Sequence, residues 1–98
     1  MKLIAIYARP QDPEEFDKAY FNTHVPLIKK VPGLQDVKIS KHSRTYVGAK
    51  APYMITEMTF ADKESLISGL NSEEMGAAGV NLDTFAEGRY TLMMAEEA

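Results

Sequence analysis

Two periodicities divide the first third of the chain into a strand and a helix. The run Lys2–Arg9 is short, β-branched and aromatic, and Pro10 closes it, so it predicts a first strand. Asp12 is suited to be a helix N-cap, with proline at the first helical position and glutamate three residues after the cap. A mostly apolar face then recurs at helical spacing up to the stop at Pro32-Gly33, and it comprises Phe16, Ala19, Tyr20, Thr23, Leu27 and Val31.

Three further strands and a second helix follow. Leu34–Ser43 alternates between apolar and polar residues, which predicts a strand with one solvated side. Ser43–Pro52 contains glycine and proline and predicts a loop, and Tyr53–Phe60 is the strongest strand signal in the chain. An aspartate cap predicts a helix over residues 62–70, and Arg89–Ala95 predicts the fourth strand.

The segment Asn71–Gly88 has the weakest pattern. Ser72 is able to start a short helix, and Leu82 and Phe85 are expected to anchor the segment to the core. We expect that helix to be limited by three residues that disfavour helical backbone, namely Gly76, Gly79 and Asn81.

The element order β-α-β-β-α-β predicts an α+β fold, the ferredoxin-like sandwich, as one domain over residues 1–98. In this fold a four-stranded antiparallel sheet carries helices on one face. Neither set of alternating side chains in the two central strands is plainly polar, so neither face is suited to water. We therefore expect a homodimer in which the open sheet faces of two copies enclose an interior.

The assignment of side chains to the two faces follows from which alternating set is more apolar. The more apolar set is expected under the helices, and it comprises Ile4, Ile6, Met54, Met58 and Phe60. The other set is expected to line the space between the sheets, and it comprises Leu3, Tyr7, Tyr53, Ile55, Glu57 and Thr59.

Composition narrows the possible partners. The 98 residues are 45% hydrophobic and 26% charged, which is ordinary for a soluble globular protein, and the net charge of −3 argues against nucleic acid. The apolar run Leu3–Ala8 is too short for a signal peptide or a membrane span, so we expect a cytoplasmic protein without a membrane partner. No cysteine is present and the two histidines are eighteen residues apart, so neither a disulfide nor a metal site is expected.

His24 is the leading candidate for chemistry. It lies four residues after Tyr20, on the shoulder of the apolar helix face, and Pro26 is expected to kink the helix just beyond it. An imidazole with a pKa near neutrality at a partly buried kink is suited to general acid or base catalysis. The alternative is a histidine that only packs against the loosened helix.

Glu57 is the second candidate. A carboxylate in a central strand is costly to bury without a partner, so it could act as a base or orient a histidine. The alternative is a carboxylate at a wet rim, paired with Lys2 or Arg9. Because helices cover the face opposite to the one assigned to Glu57, it meets His24 only if the kink turns the imidazole around the sheet edge.

Phenols are the remaining candidates for ligand binding. Tyr7, Tyr46, Tyr53 and Tyr90 could each hydrogen-bond a carbonyl or hydroxyl substrate, although most tyrosines serve packing. No glycine-rich nucleotide motif is present and nothing near either histidine supports haem ligation, so no cofactor is expected.

Three segments carry a resemblance to a known family: YARPQDPEEFDKAYFNTHVPLIKKVPGL, a strand ending ITEMTF, and SEEMGAAGVNLDTFAEG. They resemble the EthD family, named from bacterial degradation of ethyl tert-butyl ether, within the dimeric α+β-barrel superfamily. Thr23-His24-x-Pro26-Leu27 is the most specific part. The resemblance implies a ferredoxin-like protomer, a barrel-forming homodimer and an oxidoreductase-class activity.

The wider superfamily includes cofactor-free monooxygenases, isomerases, polyketide cyclases and haem enzymes, so the fold does not choose the reaction. The first hypothesis is an oxidoreductase-class or cofactor-free enzyme that acts on a small, largely apolar or aromatic molecule in a catabolic pathway. The alternatives are a non-catalytic ligand-binding or accessory protein, and a polyketide cyclase or isomerase activity on the same fold.

Overall fold

Four antiparallel strands form one sheet in the computed structural model, which describes residues 1–98. Their order across the sheet is β2-β3-β1-β4, the order of a ferredoxin-like sandwich, so the predicted fold class is confirmed. The strands are β1 (Lys2–Tyr7), β2 (Leu34–Lys41), β3 (Met54–Phe60) and β4 (Tyr90–Ala95).

Helices cover one face of this sheet. They are α1 (Pro13–Ala19), α2 (Val25–Ile28), α3 (Lys63–Leu70) and α4 (Glu73–Ala86). Three of them, α1, α3 and α4, begin at the caps that the sequence predicted. The side chains of Asp12, Asp62 and Ser72 each accept a hydrogen bond from the backbone N–H three residues on, at 2.8–3.2 Å. None of these helices is both long and apolar enough to cross a bilayer.

A π-helical segment, Tyr20–His24, joins α1 to α2, where the sequence predicted a kink. The N–H of Val25 donates to the carbonyl oxygen of Tyr20, five residues earlier, so the turn contains one residue more than an α-helical turn. The extra residue changes which side chains face the sheet. Thr23, predicted to face inward, is exposed, whereas His24 is buried.

Helix α4 is longer than the sequence predicted. It runs for 14 residues through both glycines and Asn81, which were expected to limit it. Each glycine costs a helix only about 1 kcal/mol relative to alanine, and the Ser72 cap and burial of the inner face outweigh that cost. The buried residues recur every fourth position, at Ala78, Leu82 and Ala86. Phe85 packs partly buried against the same core, as expected.

The assignment of β1 to the two faces of the sheet was wrong. Leu3 and Tyr7 point toward the helices and are 2% and 1% exposed, whereas Ile4 and Ile6 lie on the open face. Both sets in β1 are apolar, so hydrophobicity could not decide between them. The register between β1 and β3 determines which set faces the helices. Leu3 lies opposite Met58 and Tyr7 lies opposite Met54, and both methionines are buried. The Tyr7 ring also packs edge-on against aromatic rings of α1 and the π-helical segment.

The assignment of β3 was correct for the strand itself. Met54, Met58 and Phe60 are buried under the helices, and Ile55, Glu57 and Thr59 alternate with them on the open face. Tyr53, just before the strand, was placed on the wrong side. Its ring packs edge-on against Phe16 of α1, and its hydroxyl donates to Asp17 at 2.8 Å.

Candidate functional site

A cavity of about 100 Å³ lies between the sheet and the helices, beside His24. Most of its walls are hydrophobic, supplied by β1, β3, the π-helical segment, α2, α4 and β4. Only a few lining side chains carry polar atoms, and these are Tyr7, Tyr20, His24, Thr56 and Tyr90. We call this space the His24 cavity. An apolar pocket with a few convergent polar groups is the common form of a small-molecule site.

The π-helical segment places the imidazole of His24 in this cavity. The residue is 2% exposed, its ring lies 5.2 Å from that of Tyr20, and its Nδ1 lies 3.2 Å from Oδ1 of Asn81. Burial lowers the pKa of His24 below its ordinary value, while the Asn81 side chain and the Ala78 backbone oppose that change. The imidazole is therefore neutral at neutral pH, the form that is able to accept a proton.

The other ring nitrogen of His24, Nε2, has no side-chain partner. The only side-chain hydrogen bond of the ring joins Nδ1 to Asn81, and the ring also meets the Ala78 backbone and lines the cavity. Because Asn81 occupies Nδ1, Nε2 is the nitrogen to consider for contact with a ligand.

Three hydroxyl groups form a second polar cluster in the cavity. The phenol of Tyr20 shares a hydrogen bond with the Thr56 hydroxyl of β3, and the phenol of Tyr7 is its neighbour. Burial raises the pKa of both Tyr7 and Tyr20, so both phenols keep their protons at neutral pH. The Tyr7 phenol has that of Tyr20 as its hydrogen-bond partner, so the three hydroxyls form one linked cluster.

The cavity opens between α4 and the edge strand β4. The lining residues that retain exposure are all found there, namely Met75, Gly79, Tyr90 and Leu92. The Tyr90 hydroxyl donates to Oδ1 of Asp83 at 2.8 Å and so bridges β4 to α4 beside this opening. Beyond it, Leu92 and Met94 are 45% and 42% exposed on the helix side of β4, which gives the mouth an apolar rim.

The structure brings together three of the six candidates predicted from sequence. His24, Tyr7 and Tyr90 line the cavity. Glu57 lies on the open face, where its carboxylate pairs with Lys2 at 3.0 Å, the alternative considered for it above. It cannot reach His24 through the sheet. Tyr46 is 90% exposed in the loop after β2, and Tyr53 is held by Asp17 outside the cavity.

Sequence reasoning missed three residues of the site. Tyr20 was assigned to the core face of the helix, but its position four residues before His24 was already a signal for a shared site. Thr56 is the only polar residue in the alternating set of β3 that also contains Met54, Met58 and Phe60. Asn81 gave no signal, because its partner lies 57 residues away in the sequence.

A larger depression, about 620 Å³, lies at the far end of β1 and is a less suitable candidate. It is a shallow surface between the loop at residues 49–52 and the start of β4, and its ionisable side chains are Arg9, Lys50 and Arg89 besides two tyrosines. No imidazole or carboxylate lines it. Nowhere in the chain do three histidine, aspartate or glutamate side chains group closely enough to hold a metal ion.

Comparison with known proteins gives a family and a fold. The EthD domain matches residues 8–88 of this chain. An EthD (ethyl tert-butyl ether d) family protein from Bacillus halodurans is 41% identical, with 99% of this chain and 97% of that chain covered and a TM-score of 0.92.

Two more distant structures show the fold alone. A dimeric protein of unknown function and ferredoxin-like fold from Bacteroides fragilis is 16% identical, covering 98% of this chain and 94% of its own, with a TM-score of 0.67. SnoaB, a cofactor-independent oxygenase from Streptomyces nogalater, is 12% identical, covering 99% of this chain and 92% of its own, with a TM-score of 0.61.

Proposed function

The chain belongs to the EthD family, and we propose that it is an enzyme that moves a proton on a small, largely apolar molecule without a bound cofactor. The observation that carries this proposal is a neutral, buried imidazole that lines an apolar cavity. Proton transfer by a positioned side chain typically contributes about 10²–10⁴-fold to a rate.

The size of the cavity supports a small ligand or the reacting end of a longer one. Its volume of about 100 Å³ is smaller than the cavity of roughly 150 Å³ that holds one benzene molecule in an engineered protein. A larger ligand would place its remainder through the opening, against Leu92 and Met94. Both the walls and this rim are apolar, so the hydrophobic effect favours a ligand that is mostly hydrocarbon or aromatic.

The proposal names the class of reaction and not a specific substrate or product. SnoaB, on the same fold, is a cofactor-independent oxygenase, which supports the proposal of an oxidoreductase activity for this chain. Deprotonation of a substrate is a step that oxidation, isomerisation and cyclisation can share, so His24 has the same role in each.

A substitution at His24 separates the enzyme from a binding protein. The experiment incubates a panel of phenols and carbonyl compounds with the wild type and with His24→Gln, while binding is followed by calorimetry. An enzyme loses conversion in His24→Gln and retains binding, whereas His42→Gln, at the exposed histidine, keeps both. Binding of a panel compound by the wild type without any conversion would support the accessory-protein alternative instead.

We propose further that the protein is a homodimer through the open face of its sheet. No helix covers this face, yet it carries Ile4, Ile6 and Ile55 at its centre and Met93, 43% exposed, beside them. The Bacteroides fragilis protein of this fold is dimeric. Exposed apolar patches of this kind usually mark an interface.

The oligomeric state tests the dimer directly. Light scattering at micromolar concentration is expected to give twice the chain mass for the wild type and the chain mass for Ile6→Lys. Ile67→Lys, which places the same charge on an exposed apolar position of α3, is expected to leave the dimer intact. A wild-type monomer at that concentration would contradict the proposal.

A further inference from the structure

We infer that Asn81 is the positioning residue that makes His24 a base, and that the site therefore accepts neutral, weakly acidic molecules such as phenols or carbonyl compounds with an acidic α-hydrogen. The inference deepens the proposed proton-transfer function and rests on it. Asn81 lies on α4, facing the π-helical segment that holds His24.

The argument begins with the contact between the two side chains. Oδ1 of Asn81 lies 3.2 Å from Nδ1 of His24, and a carboxamide oxygen only accepts hydrogen bonds. Nδ1 must therefore carry the proton. A neutral imidazole has one N–H, so Nε2 is left with a lone pair, on a ring that lines the cavity and has no side-chain partner other than Asn81.

The direction of proton transfer follows from this tautomer. With an Nδ1–H imidazole at rest, Nε2 accepts a proton from a C–H or O–H bond of the ligand. The ring becomes imidazolium and still donates through Nδ1 to Asn81, while the ligand becomes an anion. The phenols of Tyr7 and Tyr20, which keep their protons at neutral pH, line the same cavity.

The surroundings of the ring do not favour a charged ligand. The ionisable side chains that line the cavity with His24 are the phenols of Tyr7, Tyr20 and Tyr90, and no lysine, arginine, aspartate or glutamate lines it. A ligand that is already anionic would lose its hydration without gaining a cationic partner. A neutral molecule that becomes anionic only as it gives its proton to His24 avoids that cost, because the imidazolium forms beside it.

Nuclear magnetic resonance of the ¹⁵N-labelled protein tests the inference without a substrate. Long-range proton–nitrogen correlations at pH about 8 report which nitrogen of each neutral imidazole carries the proton. His24 is expected to show a protonated Nδ1 and an unprotonated Nε2. His42, whose exposed ring contacts only Thr45 at 2.8 Å, serves as the internal reference.

Substitutions then assign the tautomer to Asn81. Asn81→Leu is expected to shift the population of His24 toward the Nε2–H form, whereas Asn22→Leu, at an exposed asparagine of the π-helical segment, leaves it unchanged. Asn81→Asp keeps an acceptor beside Nδ1, so the Nδ1–H form persists and the measured pKa of His24 rises. If Asn81→Leu does not fold, the tautomer and pKa of His24 in Asn81→Asp are sufficient to test the role of Asn81.

Two results overturn the inference. One is an Nε2–H form of His24 in the wild type, and the other is an Asn81→Asp variant in which the pKa of His24 does not rise. Neither result would disprove proton transfer by His24, since an Nε2–H ring is able to act as an acid. Conversely, an Nδ1–H ring in a protein that converts no compound of the panel would refute the proposed function and leave the role of Asn81 intact.

Discussion

Helices α3 and α4 cover the same face of the sheet, yet one packs tightly and the other leaves space. Under α3, Leu66 is completely buried, and a Cβ on Gly69 would lie 2.9 Å from the Phe60 ring and 3.2 Å from the Pro32 carbonyl oxygen. On α4, a Cβ on Gly79, which lines the His24 cavity, would meet no atom within 4 Å, and neither would one on the solvent-exposed Gly76.

This difference places the free space of the protein on one side of its helical layer. The His24 cavity lies entirely on the α4 side, where the helix contacts α2 and the π-helical segment and leaves the helix side of β4 partly exposed. Interiors are otherwise packed with few voids, so a gap lined by hydroxyls and an imidazole is where the proposed function is to be tested first.

The largest expected effect comes from a methyl group added on the tight side. Gly69→Ala forces a Cβ against a core ring and a backbone oxygen, so we expect a loss of about 1–3 kcal/mol in the free energy of unfolding. Gly76→Ala is the matched control on α4, where the added methyl meets nothing and a gain of about 0.5–1 kcal/mol is expected. Urea denaturation measures both. Equal effects at the two sites would show that the packing does not differ.

The hydroxyl pair of the cavity provides the next test. Tyr20→Phe or Thr56→Val alone leaves one hydroxyl without its partner, and each is expected to cost about 1–2 kcal/mol. The double variant removes both groups, so its loss is expected to be smaller than the sum of the single losses. A double-mutant cycle by chemical denaturation gives this coupling. Strict additivity would mean that the two hydroxyls do not stabilise each other.

The smallest effect is the contribution of His24 to acid sensitivity. Burial lowers its pKa, so below the ordinary value of 6.5 the unfolded chain binds a proton that the folded protein resists. The stability that His24 contributes is thus present above pH 6.5 and is lost as the pH falls through the folded pKa.

The measurement is the free energy of unfolding against pH. Between about pH 7 and pH 5, His24→Gln is expected to fall less steeply than the wild type. His42→Gln, at a histidine with an exposed ring, is expected to follow the wild type. Parallel curves for all three proteins would show that the His24 imidazole titrates normally.

Sequence predicted the features that depend on neighbouring residues. Asp12, Asp62 and Ser72 cap the helices as expected because each side chain bonds a backbone group three residues away. Which side chains of β1 point toward the helices could not be predicted from neighbouring residues. Both of its side-chain sets are apolar, and the choice depends on pairing with β3 more than fifty residues later.

The candidate site was predictable only in part for the same reason. His24 was identified because a rare residue type lies beside a proline in a helix, which is a local pattern. Its partner Asn81 and the Thr56 hydroxyl come from distant segments, with 57 residues between the paired side chains in one case and 36 in the other. Asn81 was instead read as a helix-limiting residue, since propensity is all that a sequence shows for an isolated asparagine.

The π-helical segment makes the presence of an imidazole in the cavity depend on chain length. Deleting the exposed Asn22 would make the bond from the Val25 N–H to the Tyr20 carbonyl an ordinary α-helical one, so the helices on either side would keep their orientation while the residues inside the turn would shift. A relative that is shorter by one residue here would keep the sheet, the caps and the tightly packed half of the molecule. Its histidine would lie at a different position in the turn, so an alignment gap at this point would mark relatives in which the imidazole has a different place relative to the cavity.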